Sequence, residues 1–103
     1  MPSFTLTKKA VSDLLEIGRY TEQHWGREQR DKYLAQLDAC FHQAAADPFK
    51  GKECSDIRKG YRKITAGSHI IFYRQKYAAE IEIVRILHER MDFESKLASH
   101  LKQ

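Results

Sequence analysis

Between residues 58 and 92 the chain carries three β-type segments separated by very short breaks. They read Arg58-Lys59-Gly60-Tyr61-Arg62-Lys63-Ile64, then His69-Ile70-Ile71-Phe72-Tyr73-Arg74, then Ile81-Glu82-Ile83-Val84-Arg85-Ile86-Leu87-His88. β-branched and aromatic residues dominate each segment, and turns of a few residues join them, at 66–68 and 76–79. Consecutive strands joined this closely pair as an antiparallel meander. The predicted strands span residues 58–65, 69–75 and 80–87. The middle one is apolar at most positions on both faces, as a strand inside a sheet must be.

The first half has a different period. Ser3 to Leu6 alternate and predict a short strand, and Thr7 stands where a helix N-cap belongs. Val11, Leu14, Leu15 and Gly18 follow at helical spacing, widened by Ile17 and Tyr20, and predict a helix over 8–25. Gly26 can stop it, and Trp25 beside it is expected to pack at the hairpin end. A second helix over 27–46 has Tyr33, Leu34, Leu37, Cys40, Phe41, Ala44 and Ala45 as its stripe and ends at Asp47-Pro48. Residues 49–55 read as a loop. Asp92 is a candidate cap for a last short helix through Leu97 and Leu101.

The fold class that follows is α+β: an N-terminal strand, an antiparallel helical hairpin packed on a small antiparallel sheet with a three-strand C-terminal meander, and a short C-terminal helical tail. The 103 residues suit one domain over 1–103. One face of the sheet is covered by the helices, and the other is expected to stay partly open.

Net charge is +4, which favours an acidic partner over a neutral one. The two cysteines, Cys40 and Cys54, make no disulfide framework; Cys40 is expected in the helical core and Cys54 loosely placed. No apolar run reaches membrane length and no signal-peptide core opens the chain, so a cytoplasmic, reduced protein without a membrane partner is expected. No metal site is expected, because no histidine pairs with another at helical spacing and no Cys/His set has zinc spacing. No cofactor-binding motif appears.

Period-two reading puts Ile81, Ile83, Arg85 and Leu87 on one side of the last strand and Glu82, Val84, Ile86 and His88 on the other. Arg85 interrupts an apolar row, so it needs a carboxylate or carbonyl partner, or else it serves a groove. His69, His88 and Arg90 sit near strand ends. Together with Arg62 and Lys63 they are the residue types a ribonuclease uses, although any small basic protein contains such a set. Tyr61, Phe72 and Tyr73 can stack bases or fill the core.

The order of elements and three pieces of sequence resemble the toxins of bacterial type II toxin–antitoxin pairs, in the ParE/RelE superfamily, and are most similar to ParE. The pieces are Arg58-Lys59-Gly60-Tyr61-Arg62, Ile-x-Phe-Tyr-Arg at 70–74, and Arg-Ile-Leu-His-x-Arg-Met-Asp at 85–92. The resemblance implies a growth-inhibiting toxin that traps DNA gyrase on cleaved DNA and blocks replication, an inhibitor rather than an enzyme. It also implies a role in plasmid stabilization. It further implies a ParD-like antitoxin with an acidic tail, and contact with operator DNA only through that antitoxin. The alternatives are a RelE-like ribosome-dependent mRNA endoribonuclease, or an inactive toxin kept as a binding module or co-repressor. RelE-like relatives often place a tyrosine near the C-terminal end, whereas here the last tyrosine is Tyr77 and Phe93 follows Arg90. No catalytic residue is assigned. The candidate target- or antitoxin-binding residues are Arg58, Tyr61, Arg62, His69, Tyr73, Arg74, Arg85, His88 and Arg90.

Overall fold

The computed structural model describes residues 2–91 and Leu97. Thr7 starts the helical half as expected. Its hydroxyl accepts from the Ala10 backbone N–H at 3.0 Å and so satisfies one of the orphan donors of the first turn. Behind it β1 covers Ser3–Leu6 and ahead of it α1 covers Lys8–Trp25. Gly26 separates α1 from α2, Arg27–Ala46, and serves both ends. Its N–H closes α1 onto Glu22 and its carbonyl accepts from Arg30. The φ of +91° at this joint is one that side chains resist, hence glycine.

The meander follows as β3 (Tyr61–Ala66), β4 (His69–Tyr77) and β5 (Glu80–His88), preceded by a two-residue strand, β2 (Lys52–Glu53). That short strand lies inside the segment expected to be loop. The first meander strand begins at Tyr61, and residues 58–60 form the turn before it. The sheet order is β1-β5-β4-β3-β2. All pairings are antiparallel except that of β1, which joins β5 in parallel. The N-terminal strand therefore completes a mixed five-stranded sheet.

Both helices lie on one face. Ile17 of α1 and Leu37, Phe41 and Ala44 of α2 meet Ile71, Tyr73, Ile81, Ile83 and Ile86 of the sheet in a single core. The buried row of α1 is Ala10, Asp13, Ile17, Gly18 and Thr21: of the predicted stripe Ile17 and Gly18 are buried and Leu14 packs against the core, while Val11, Leu15 and Tyr20 turn outward. Val11 is 46% and Leu15 64% exposed. A carboxylate and a threonine occupy positions that hydropathy alone would send outward.

The far face is less open than expected. Cys54, Tyr61, Phe72, Val84 and Leu87 form a second cluster there, with Leu97 fully buried against it. Cys54 is thus core and Cys40 only half-buried, the reverse of the expectation. The expected helix cap at Asp92 and the tail at Leu101 lie outside the described residues. Among the described residues, no helix is long and apolar enough to cross a membrane.

The β3–β4 turn is held by a close approach. Gly67 has φ +59°, and a Cβ there would come within 2.6 Å of the Tyr33 ring. Gly67→Ala is expected to lower the unfolding free energy by about 1–3 kcal/mol through overpacking and backbone strain. Denaturant unfolding with an unchanged m-value would show it.

Candidate functional site

The last strand does not keep its period. Tyr73 pairs with Ile83 but Phe72 pairs with Arg85, so Val84 is an extra residue, a β-bulge. Beyond it the faces exchange. Ile81, Ile83 and Ile86 share the helix-side core, while Val84 and Leu87 share the far cluster. The simple alternation, which grouped Ile81 and Ile83 with Leu87, is corrected by this single insertion.

The bulge is tied down from α1. The Thr7 hydroxyl donates to the Val84 carbonyl at 2.7 Å. Asp13, 9% exposed, accepts from three donors: Arg85 Nε at 2.8 Å, Arg85 Nη2 at 2.9 Å and the Ile86 backbone N–H at 3.0 Å. The hydrogen bond to Asp13 holds the Arg85 guanidinium above its ordinary pKa. Of the two readings open for Arg85, the geometry supplies the carboxylate partner.

Other candidate residues are also engaged within the fold. Tyr73 is buried with its hydroxyl donating to the Pro48 carbonyl at 2.8 Å and accepting from Gly51 N–H at 2.9 Å. Arg62 Nη1 donates to the Gly51 carbonyl at 2.9 Å, and its guanidinium carbon lies 5.0 Å from the Phe49 ring centre. These contacts clasp the α2–β2 connection onto the sheet. Arg74 Nε donates to Glu82, its cross-strand partner, at 2.9 Å. Tyr61 is buried on the far face, and burial pushes both its phenol and that of Tyr73 up. Arg58 is exposed in the turn before β3, and Arg90 is exposed just after β5.

Arg62 and Tyr73, and Tyr61 and Arg74, are cross-strand partners, and His69 and His88 converge in the same way at the other end of the strands. The two histidines are direct cross-strand partners, with ring centres 5.4 Å apart at 86°. The Tyr33 hydroxyl lies 2.6 Å from His69 Nδ1, accepts from Ser68 N–H at 3.1 Å and donates to the Ala66 carbonyl at 3.1 Å. His88 Nδ1 accepts from the Arg90 backbone N–H at 3.2 Å. Burial, then the nearby His88, pushes His69 below the ordinary histidine range.

This pair floors a cleft between the C-terminal half of α1 and the sheet. One compartment, of about 510 Å³, is lined by Glu16, Arg19, Tyr20 and Met91 among others. A second, of about 610 Å³, is lined by Tyr20, Trp25, Gln29 and Tyr33. Tyr20, His69 and His88 belong to both. Trp25 is 71% exposed, so the expected packing at the hairpin end does not occur. Sequence reasoning missed Tyr20, Trp25 and Tyr33 as site residues by assigning all three to apolar packing. Among the described residues, no group of three or more His, Cys, Asp or Glu is placed to hold a metal ion.

The model of the ParE toxin of the type II toxin–antitoxin system parDE matches residues 4–93. Toxin ParE1 of Mycobacterium tuberculosis is 43% identical over 91% of this chain and 96% of its own length. Toxin ParE1 of Caulobacter vibrioides is 37% identical over 94% and 99%, and Toxin ParE of Escherichia coli 34% over 99% of each. A solved chain described as the chromosomal ParDE TA system from P. aeruginosa superposes with a TM-score of 0.73 at 24% identity, covering 85% of this chain and 96% of that one. That likeness concerns the fold.

The His69 environment sets a pH response. Because its folded pKa lies below the unfolded value near 6.5, the unfolded chain takes up the proton first. Its contribution to stability is full above about pH 6.5 and is lost as pH falls from there through the depressed folded value. Urea unfolding at neutral and mildly acidic pH is expected to show a drop that is smaller in His69→Gln. An identical drop in both proteins would count against this.

Proposed function

The chain belongs to the ParE toxin family of type II toxin–antitoxin systems, and from that premise we propose that it arrests growth by holding DNA gyrase on cleaved DNA. It does so in the cytoplasm, as a binder rather than an enzyme, until a cognate ParD-like antitoxin neutralises it. Through that antitoxin the complex meets operator DNA, and on a plasmid the pair stabilises inheritance.

The observation that carries the inhibitor reading is where the cationic side chains are spent. A nuclease needs cations and an acid–base pair converging on one phosphate. Here Arg85 faces Asp13, Arg74 faces Glu82, and Arg62 clasps Gly51 and Phe49. The Tyr61 and Tyr73 phenols are buried. Of the candidates, Arg58 and Arg90 are the arginines left exposed, and of these only Arg90 stands beside the converging His69–His88 pair, so the other candidate arginines are not gathered around it. Such a distribution supports recognition of a large partner. Two features support an antitoxin with an acidic, partly apolar tail. The net charge is +4, and α1 exposes Val11 and Leu15 one turn apart. The solved neighbour's description as a ParDE system is in keeping with such a partner.

A supercoiling and DNA-cleavage assay with purified gyrase tests the reading. Supercoiling is expected to fall with toxin concentration while gyrase-linked cleaved DNA accumulates, and Arg90→Ala is expected to need more protein for the same effect. Intact supercoiling at saturating folded toxin, with cleavage of ribosome-bound mRNA instead, would transfer the chain to the nuclease reading. Neither effect, together with normal growth on expression, would make it a binding module.

A further inference from the structure

We propose that the cleft floored by His69 and His88 binds an unstacked base of single-stranded nucleic acid, with Tyr20 and Trp25 as its stacking walls. The first observation is exposure. Trp25 is 71% and Tyr20 60% exposed, and both line the same cleft as the histidine pair. Large aromatic rings left in water beside a concave surface mark a binding site rather than a solvated face. Tyr20 is also held in place. His24 stacks on it with ring centres 4.0 Å apart and 24° between planes, and donates from Nδ1 to the Tyr20 carbonyl at 2.9 Å. A fixed ring loses little entropy when a base stacks against it.

The second observation is the hydrogen-bonding character of the floor. His88 Nδ1 accepts from Arg90 N–H, so the proton of the neutral ring sits on Nε2, which is a donor. The Tyr33 hydroxyl engages His69 Nδ1 at 2.6 Å, which leaves Nε2 as the outward nitrogen of that ring. Among the described residues neither Nε2 has a protein partner and no side-chain polar atom is both buried and unpartnered, so both Nε2 atoms reach solvent. Two imidazole nitrogens side by side, the His88 one a donor, offer hydrogen bonds to the polar edge of a nucleobase.

The third is charge. Arg19 lines the cleft and Arg90 follows His88 in the chain, within a protein of net charge +4. Glu16 is the acidic residue among the lining groups. A basic surface with aromatic stacking walls is the usual design for sequence-tolerant single-strand binding.

Trp25 is the single tryptophan of the chain, so it reports on this cleft alone. Titrating a short mixed-sequence single-stranded oligonucleotide into the protein at low salt, without gyrase, is expected to quench its emission saturably. The same sequence as a duplex is expected to quench far less. Tyr20→Ala, at an exposed position, is expected to weaken binding about tenfold while far-UV circular dichroism stays unchanged. His88→Gln, which keeps a donor but moves it, is expected to weaken binding with the Tyr33 contacts intact. Three results would overturn the proposal: no quenching at saturating oligonucleotide, affinity unaffected by Tyr20→Ala, or equal quenching by a polyglutamate peptide, which would make the cleft a peptide site. Because gyrase is absent, this proposal and the gyrase reading stand or fall separately.

Discussion

The seat of Asp13 beneath the last strand is the contact on which the rest of the structure depends. A carboxylate on the buried row of α1 takes both arms of the Arg85 guanidinium and the Ile86 N–H, 72 and 73 residues further along the chain. A buried ion pair is stabilising only when its remaining hydrogen-bonding capacity is met, and this one is met by the backbone. With the Thr7 N–H donating to the Ile83 carbonyl and its hydroxyl to the Val84 carbonyl, the first helix and its cap grip the strand on both sides of the bulge. Without the bulge, Ile86 would turn away from the core that it shares with Ile17 and Phe41.

The grip also bears on function. It places His88 opposite His69 at the end of the strand pair, next to the Tyr33 hydroxyl that ties α2 to the β3–β4 turn. The cleft between α1 and the sheet is therefore shaped by helix placement, and its two histidines keep fixed neighbours. The remaining arginines of the meander are turned inward or along the surface into local contacts. Outward-facing chemistry is left to the aromatic rim, the apolar row of α1 and exposed cations that include Arg19, Arg58 and Arg90.

Both long helices were legible residue by residue, because Thr7, Gly26 and Asp47-Pro48 punctuate them with local chemistry. The order of the meander was legible for the same reason, from turns short enough to allow one topology. The bulge was not, because one extra residue in a β-rich run leaves the composition unchanged and shows only through its partner strand. Asp13 was passed over because a buried carboxylate can be recognised only once its distant arginine is placed beside it. Leu15 belongs to the stripe that hydropathy predicts and Trp25 stands beside the Gly26 stop, yet helix rotation is fixed by Asp13 and Ile17, and it turns both outward. In the site, the pairing of His69 with His88 and the link of His69 to Tyr33 needed the register and the helix placement.

A double-mutant cycle on Asp13→Ala and Arg85→Ala, read by urea unfolding at neutral pH, tests the grip most directly. Each single change is expected to cost about 3–5 kcal/mol, because it strands the other charge in a buried seat. The double change is expected to cost scarcely more than either one, giving a strong coupling. Losses that simply add would contradict the account, since they would make Arg85 and Asp13 independent contributors and leave the bulge without its clamp.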